Sequence, residues 1–170
     1  WACPGLAGWE SCGATMTLSE LCLACGLCCD GSLFRHVRVT PAEREALVPL
    51  GIAVSAKRGA DFMALPCGKL EGTACTIYGE RPGGCRRFVC AIGRRLEAKV
   101  VPGEEALAVV RELQARVVAL REAWPPPPGV PVVQHARASL ESPTSRMSEE
   151  AVAALKAVEA WKAEHFTPPP

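Results

Sequence analysis

The stretch Cys22-Leu-Ala-Cys-Gly-Leu-Cys-Cys29 limits what this chain can fold into more than any other segment. It holds four thiols within eight residues, spaced C-x2-C-x2-C-C. Packing does not call for such a density, but a soft metal does, because two sulfurs on one tight turn reach a single ion at about 2.3 Å. Adjacent cysteines do not readily bridge each other, since their side chains diverge. Cys28 and Cys29 are therefore expected to reach in two directions, toward two metals or toward one metal and one redox partner. A second group of thiols follows at Cys67, Cys75, Cys85 and Cys90.

Compartment decides between metal and disulfides, and composition bears on it. Ten cysteines in 170 residues fall below the density of a small disulfide scaffold. About half of the chain is apolar, so any metal supplements a core more than it replaces one. The first twenty residues contain no Lys or Arg and no long apolar run, which argues against a signal peptide. No segment offers 18 consecutive apolar residues for a membrane span. The expected location is a reducing cytoplasm, where this cysteine pattern points to metal.

Net charge is +1, but the basic surplus sits with the cysteines. From Met16 to Pro102 there are twelve Lys/Arg against eight Asp/Glu; from Gly103 onward the count is seven against nine. Eight metal-bound thiolates would turn that surplus of four into a deficit of four, and two divalent ions would neutralise it. Arg86, Arg87, Arg94 and Arg95 are accordingly read as partners of a buried anionic site, and nucleic-acid binding through them is disfavoured.

Residues 1–15 are Gly-rich and aperiodic, and Met16 is a candidate natural start, so 1–15 is expected to be an upstream extension without ligands. Thr17-Leu-Ser-Glu20 reads as a capping box. A helix from it would put Cys22, Cys25 and Cys29 on one face, although Gly26 weakens it and a metal loop is the alternative. Ser32 to Val39 reads as a strand. His36 within it is a candidate non-sulfur ligand, with a surface or packed histidine as the simpler reading. Thr40-Pro-Ala-Glu43 starts a second helix that runs to about Leu50 and stops at Gly51. After a loop, strands are expected over Phe62–Leu65 and Cys75–Tyr78, bringing Cys67 and Cys75 together across a turn.

Glu104 to Trp124 is the best helix by periodicity, with Ala106, Val110, Leu113, Val117, Leu120 and Trp124 in one stripe. Such a stripe is core packing first and a dimer seam second. Pro125 to Pro128 end it, and 125–170 reads as a Pro-rich linker and tail with one docking helix. That helix is capped by Ser148 and would dock through Ala151, Leu155, Val158 and Trp161; Thr167 to Pro170 are expected to be disordered.

Placed after CLACGLCC, the segments Leu65-Pro-Cys67, Cys75-Thr-Ile-Tyr78, Glu80-Arg-Pro82 and Cys85-Arg-Arg-Phe-Val-Cys90 resemble the YkgJ-type cysteine-cluster family, the CxxCxxCC zinc- or iron-chelating domain. The resemblance covers about Thr17 to Arg95 and includes all eight cysteines with the Tyr and Arg-Pro between them. It implies a domain that chelates zinc or iron, including iron as an iron–sulfur cluster. A related cysteine cluster occurs in flagellin lysine methylases, but no Gly-rich loop for a methyl donor is present here, so that activity is not carried over.

The metal ligands expected are Cys22, Cys25, Cys28, Cys29, Cys67, Cys75, Cys85 and Cys90. Eight thiols allow two closed zinc sites, or one [4Fe–4S] cluster with four thiols left for zinc, a disulfide or chemistry. In a bacterial ferredoxin run the last cysteine follows after three residues and precedes Pro; Cys29 does neither, which leaves the metal open. The expected fold is α+β: a small cysteine-rich, metal-stabilised domain over 16–124, with short strands and flanking helices. The expected function is metal chelation, with an iron–sulfur redox or accessory enzyme using a reactive Cys28 or Cys29 as the alternative. Arg81 is read as a local ion partner before a substrate anchor, and Tyr78 as a packed ring before a catalytic acid.

Overall fold

The computed structural model of the chain describes residues 15–167. The expectations for 1–14, with Cys3 and Cys12, and for 168–170 lie outside the described residues. Within them the fold is α+β, seven helices with short antiparallel strands.

Local sequence signals set the N-terminal elements. Helix α1 (Leu18–Cys25) opens on the Thr17 capping box: the Glu20 amide donates to Thr17 Oγ1 at 3.2 Å, and the Thr17 amide donates to Glu20 Oε2 at 2.7 Å. Helix α2 (Pro41–Leu47) starts the same way from Thr40 and Glu43. A 3-10 turn (Val48–Leu50) tightens its end before Gly51, as Pro49 in the last turn requires. Between and after these helices run strands β1 (His36–Val39), β2 (Val54–Lys57) and β3 (Ala60–Ala64), in the antiparallel order β1-β3-β2. Met63 on β3 lies opposite both Val37 and Val54 and is buried.

One strand expectation is corrected. β3 does not pair across Cys67 and Cys75, because β1 and β2 take both of its edges. Cys67 to Thr76 instead closes its own hairpin of β4 (Leu70–Glu71) and β5 (Ala74–Cys75), tied by Leu70 N–H donating to Cys67 O at 3.1 Å and Thr76 N–H to Lys69 O at 2.9 Å. Beyond Cys75 the expected strand gives way to a 3-10 turn (Tyr78–Glu80). Helices α3 (Gly83–Arg87) and α4 (Ala91–Glu97) then carry the chain to the long helix α5 (Gly103–Ala123).

The stripe on α5 is core. Ala106, Leu113 and Leu120 are fully buried, and Val110 and Val117 nearly so, against α1, α4 and the two helices that follow. The chain's own helices cover the face that a dimer seam would need. The prolines at 125–128 do not begin an extended tail. Val132–Glu141 forms helix α6, burying Val132, Val133 and Ala136. Helix α7 (Glu149–His165) follows its Ser148 cap and docks through Ala151, Leu155 and Val158, with Trp161 donating from Nε1 to Val109 O at 3.1 Å.

Two hydrophobic clusters result. One is helical and is built from α1, α4, α5, α6 and α7, closed by Phe166. The other packs Val39, Leu47, Ile52, Met63, Leu65 and Cys67 around the three-stranded sheet. The cysteines lie along the border between them. Among the described residues no helix is long and apolar enough to cross a membrane.

Candidate metal centre

All eight cysteines expected as ligands are free thiols, with Cys67 buried and the other seven half-buried. Cys22 and Cys25 stand one turn apart on α1. The helix ends at Gly26, whose left-handed φ of 66° reverses the chain into the turn that holds Cys28 and Cys29. Cys67 follows β3 and is tied back by its amide, which donates to Cys29 O at 2.8 Å. Cys75 ends β5, Cys85 sits in α3 and Cys90 caps α4.

Seven of these thiols, all but Cys67, line one cavity of about 590 Å3. Its wall also includes Leu21 and Val110 from the helical core, Met63 and Leu65 from the sheet core, and Tyr78, Arg81 and Arg87. Among the described residues no three His, Cys, Asp or Glu side chains converge on a position from which they could hold one ion. The thiols surround a volume and do not point at a single site. His36 is exposed and packs edge-on against Phe62, with ring centroids 4.5 Å apart, and it also lines the cavity.

Burial dominates the electrostatics. It pushes the thiols of Cys25 and Cys29 up to about 12, Cys85 up to about 11, and Cys28 well above the ordinary 9.0. Cys22, Cys67 and Cys90 are raised by the same cause. An activated nucleophile needs the opposite shift, so the metal-free pair Cys28 and Cys29 is not poised for attack. A soft cation would supply the missing charge, since coordination deprotonates a thiol outright.

Arg81 is the cation that serves the site. Its guanidinium stacks 3.4 Å above the Tyr78 ring, its Nε donates to Tyr78 O at 2.7 Å, and its charge acts on both Cys22 and Cys85. Tyr78, expected as a core ring, is half-buried outside both hydrophobic clusters, with its hydroxyl facing Ser19 and Cys22. Three of the four arginines expected at the site do not line it: Arg86 is exposed, and on α4 Arg94 donates to Val89 O at 3.3 Å and Arg95 lies 3.7 Å from Glu105. Helix α4 turns both outward, while Arg87 lines the cavity near Glu43. The Glu-Arg-Pro turn carried the signal for Arg81; the arginine pairs were more conspicuous only because they were doubled.

A family model named CxxCxxCC, described as "Putative zinc- or iron-chelating domain", matches residues 21–105. The chain belongs to the CxxCxxCC family. Comparison with curated proteins and with solved structures returned no match. The matched segment contains all eight thiols, and metal chelation by zinc or iron is thereby supported.

Helices beyond the CxxCxxCC segment hold its ligand loop in place. Gln114 on α5 donates from Nε2 to Ala24 O at 3.0 Å and Cys25 O at 2.9 Å, satisfying carbonyls that α1 leaves open at its C-terminus. Gln134 on α6 donates to Gly31 O at 3.1 Å, and a Cβ at Gly31 would strike the Pro131 ring. Gly26 is equally confined: a Cβ there would lie 2.9 Å from Thr73 Cα and O, which are backbone atoms of the β4–β5 hairpin. Gly26→Ala is expected to cost on the order of 1–3 kcal/mol through positive φ and this clash. It should lower the thermal midpoint by several degrees, whereas an unchanged midpoint would show that the hairpin yields freely.

Proposed function

We propose that this protein chelates metal through Cys22, Cys25, Cys28, Cys29, Cys67, Cys75, Cys85 and Cys90, and that it holds the metal as iron–sulfur. One observation carries the iron–sulfur reading: the cavity of about 590 Å3 walled by seven of these thiols. Protein interiors close-pack and leave few voids larger than a water molecule. A zinc ion wrapped by four sulfurs at about 2.3 Å fills its own site and leaves no such space. An inorganic cluster is the thiolate-bound group with the bulk that the cavity accommodates, and all-sulfur donors suit it.

When bound, a cluster of this kind supplies one-electron redox chemistry. The chain's own residues do the rest. The eight sulfurs would give up their protons on coordination. The Arg81 guanidinium offsets thiolate charge from its stacked position on Tyr78. Leu21, Val110, Met63 and Leu65 keep the wall apolar, which limits water at the site.

Anaerobic purification followed by an absorption spectrum and elemental analysis tests this reading. The expected result is a broad visible band with iron and acid-labile sulfide in equal amounts. A colourless protein carrying only zinc would overturn iron–sulfur and leave chelation intact. A protein that takes up neither metal would overturn both.

A further inference from the structure

The thiols are drawn from two hydrophobic cores. Cys25 and Cys90 pack against the helical core, on α1 and at the cap of α4, which lie side by side: a Cβ at Gly93 would meet Leu18 Cδ1 at 2.8 Å and Cys90 Sγ at 3.4 Å. Cys29, Cys67 and Cys85 belong to the sheet core. The Cys67 amide is hydrogen-bonded to Cys29 O, and the hairpin starting from Cys67 ends on Cys75. The only direct covalent link between the two groups is the peptide joining Cys28 to Cys29.

The remaining thiols follow by position: Cys22 lies one turn before Cys25 on α1, Cys28 falls in the turn that closes the helix at Gly26, and Cys75 ends the hairpin that follows Cys67.

We propose that the chain holds two separate four-thiolate centres, Cys22, Cys25, Cys28 and Cys90 in one, and Cys29, Cys67, Cys75 and Cys85 in the other. The proposal rests on the chelation reading above and gives it a stoichiometry and a ligand assignment. In this division the adjacent Cys28 and Cys29 each complete a different set, and Arg81 lines the cavity that both sets face. Each centre takes a thiolate-bound iron–sulfur cluster with four cysteine ligands.

Anaerobic reconstitution of the full chain with ferrous iron and sulfide, followed by iron and sulfide analysis, tests the division through paired substitutions. Cys25→Ser with Cys90→Ser removes two ligands from one set and should halve the iron. Cys67→Ser with Cys85→Ser should halve it as well. Cys90→Ser with Cys85→Ser cuts both sets and should abolish it. Far-ultraviolet circular dichroism controls for folding, and the single variants Cys28→Ser and Cys29→Ser give a second readout: they should leave spectroscopically different residual clusters. Equal iron loss from all three double variants, or identical residual spectra from the two single variants, would overturn the two-centre assignment while leaving chelation standing. Failure of the unsubstituted protein to take up iron would instead overturn the iron–sulfur reading on which this assignment rests.

Discussion

The metal-free protein is expected to unfold as pH rises from about 9 to about 12, and the metal-loaded protein to pass through that window with little change. An unfolded thiol ionises near 9.0, whereas burial holds Cys85 protonated to about 11 and Cys25 and Cys29 to about 12. Between those values the folded chain binds more protons than the unfolded one. The stability this confers is complete below pH 9 and is lost as pH rises through the folded values. Each pKa unit is worth about 1.4 kcal/mol, so Cys25 alone carries on the order of 4 kcal/mol, against a typical total of about 5–15 kcal/mol. Lys162 runs the other way, since burial lowers its pKa and its cost is relieved as pH rises. One lysine does not balance seven raised thiols. Coordinated sulfurs have already lost their protons, which removes the dependence. Helical circular dichroism against pH, recorded with and without metal, checks this; superimposable curves would refute it.

Leu113→Ala should be the most damaging conservative change away from the thiols. Leu113 is fully buried at the centre of α5, in contact with the cluster that α1, α4, α6 and α7 share. Removing its branched end forfeits transfer free energy and leaves a cavity, together about 2–5 kcal/mol. Val118 on the same helix is 53% exposed, and Val118→Ala should change stability by no more than about 0.5 kcal/mol. Urea titration of the two variants gives the comparison. The Leu113 effect should also reach the metal centre, because the neighbouring Gln114 anchors the carbonyls of Ala24 and Cys25. Equal midpoints for the two variants would mean that α5 is not the spine of the fold.

What the sequence disclosed followed the range of the forces involved. The capping boxes at Thr17 and Thr40 act over three residues and could be read directly, as could the apolar period of α5. β2 was missed because Val54–Lys57 exposes most of its side chains and is defined by pairing to β3. α6 was missed because its signal is short: Val132, Val133 and Ala136 between prolines and a serine-rich loop, made helical by burial against α5 and α7. At the site, the spacing of the cysteines picked out the thiols, seven of which the fold gathers around one cavity. It carried no information on which thiols share a core, since that depends on contacts between segments as distant as Cys28 and Cys90.

If the thiols form two sets as proposed, their order along the backbone couples the two. Cys29, Cys67, Cys75 and Cys85 all fall inside the span from Cys28 to Cys90, so one loop is nested within the other. Closing the inner loop first shortens the outer span about tenfold, worth roughly 2 kcal/mol of closure entropy. The saving is reciprocal: with the outer set closed first, the path from Cys29 to Cys85 shortens as much. On the two-centre proposal, filling either set should therefore lower the cost of filling the other, so that loading is cooperative.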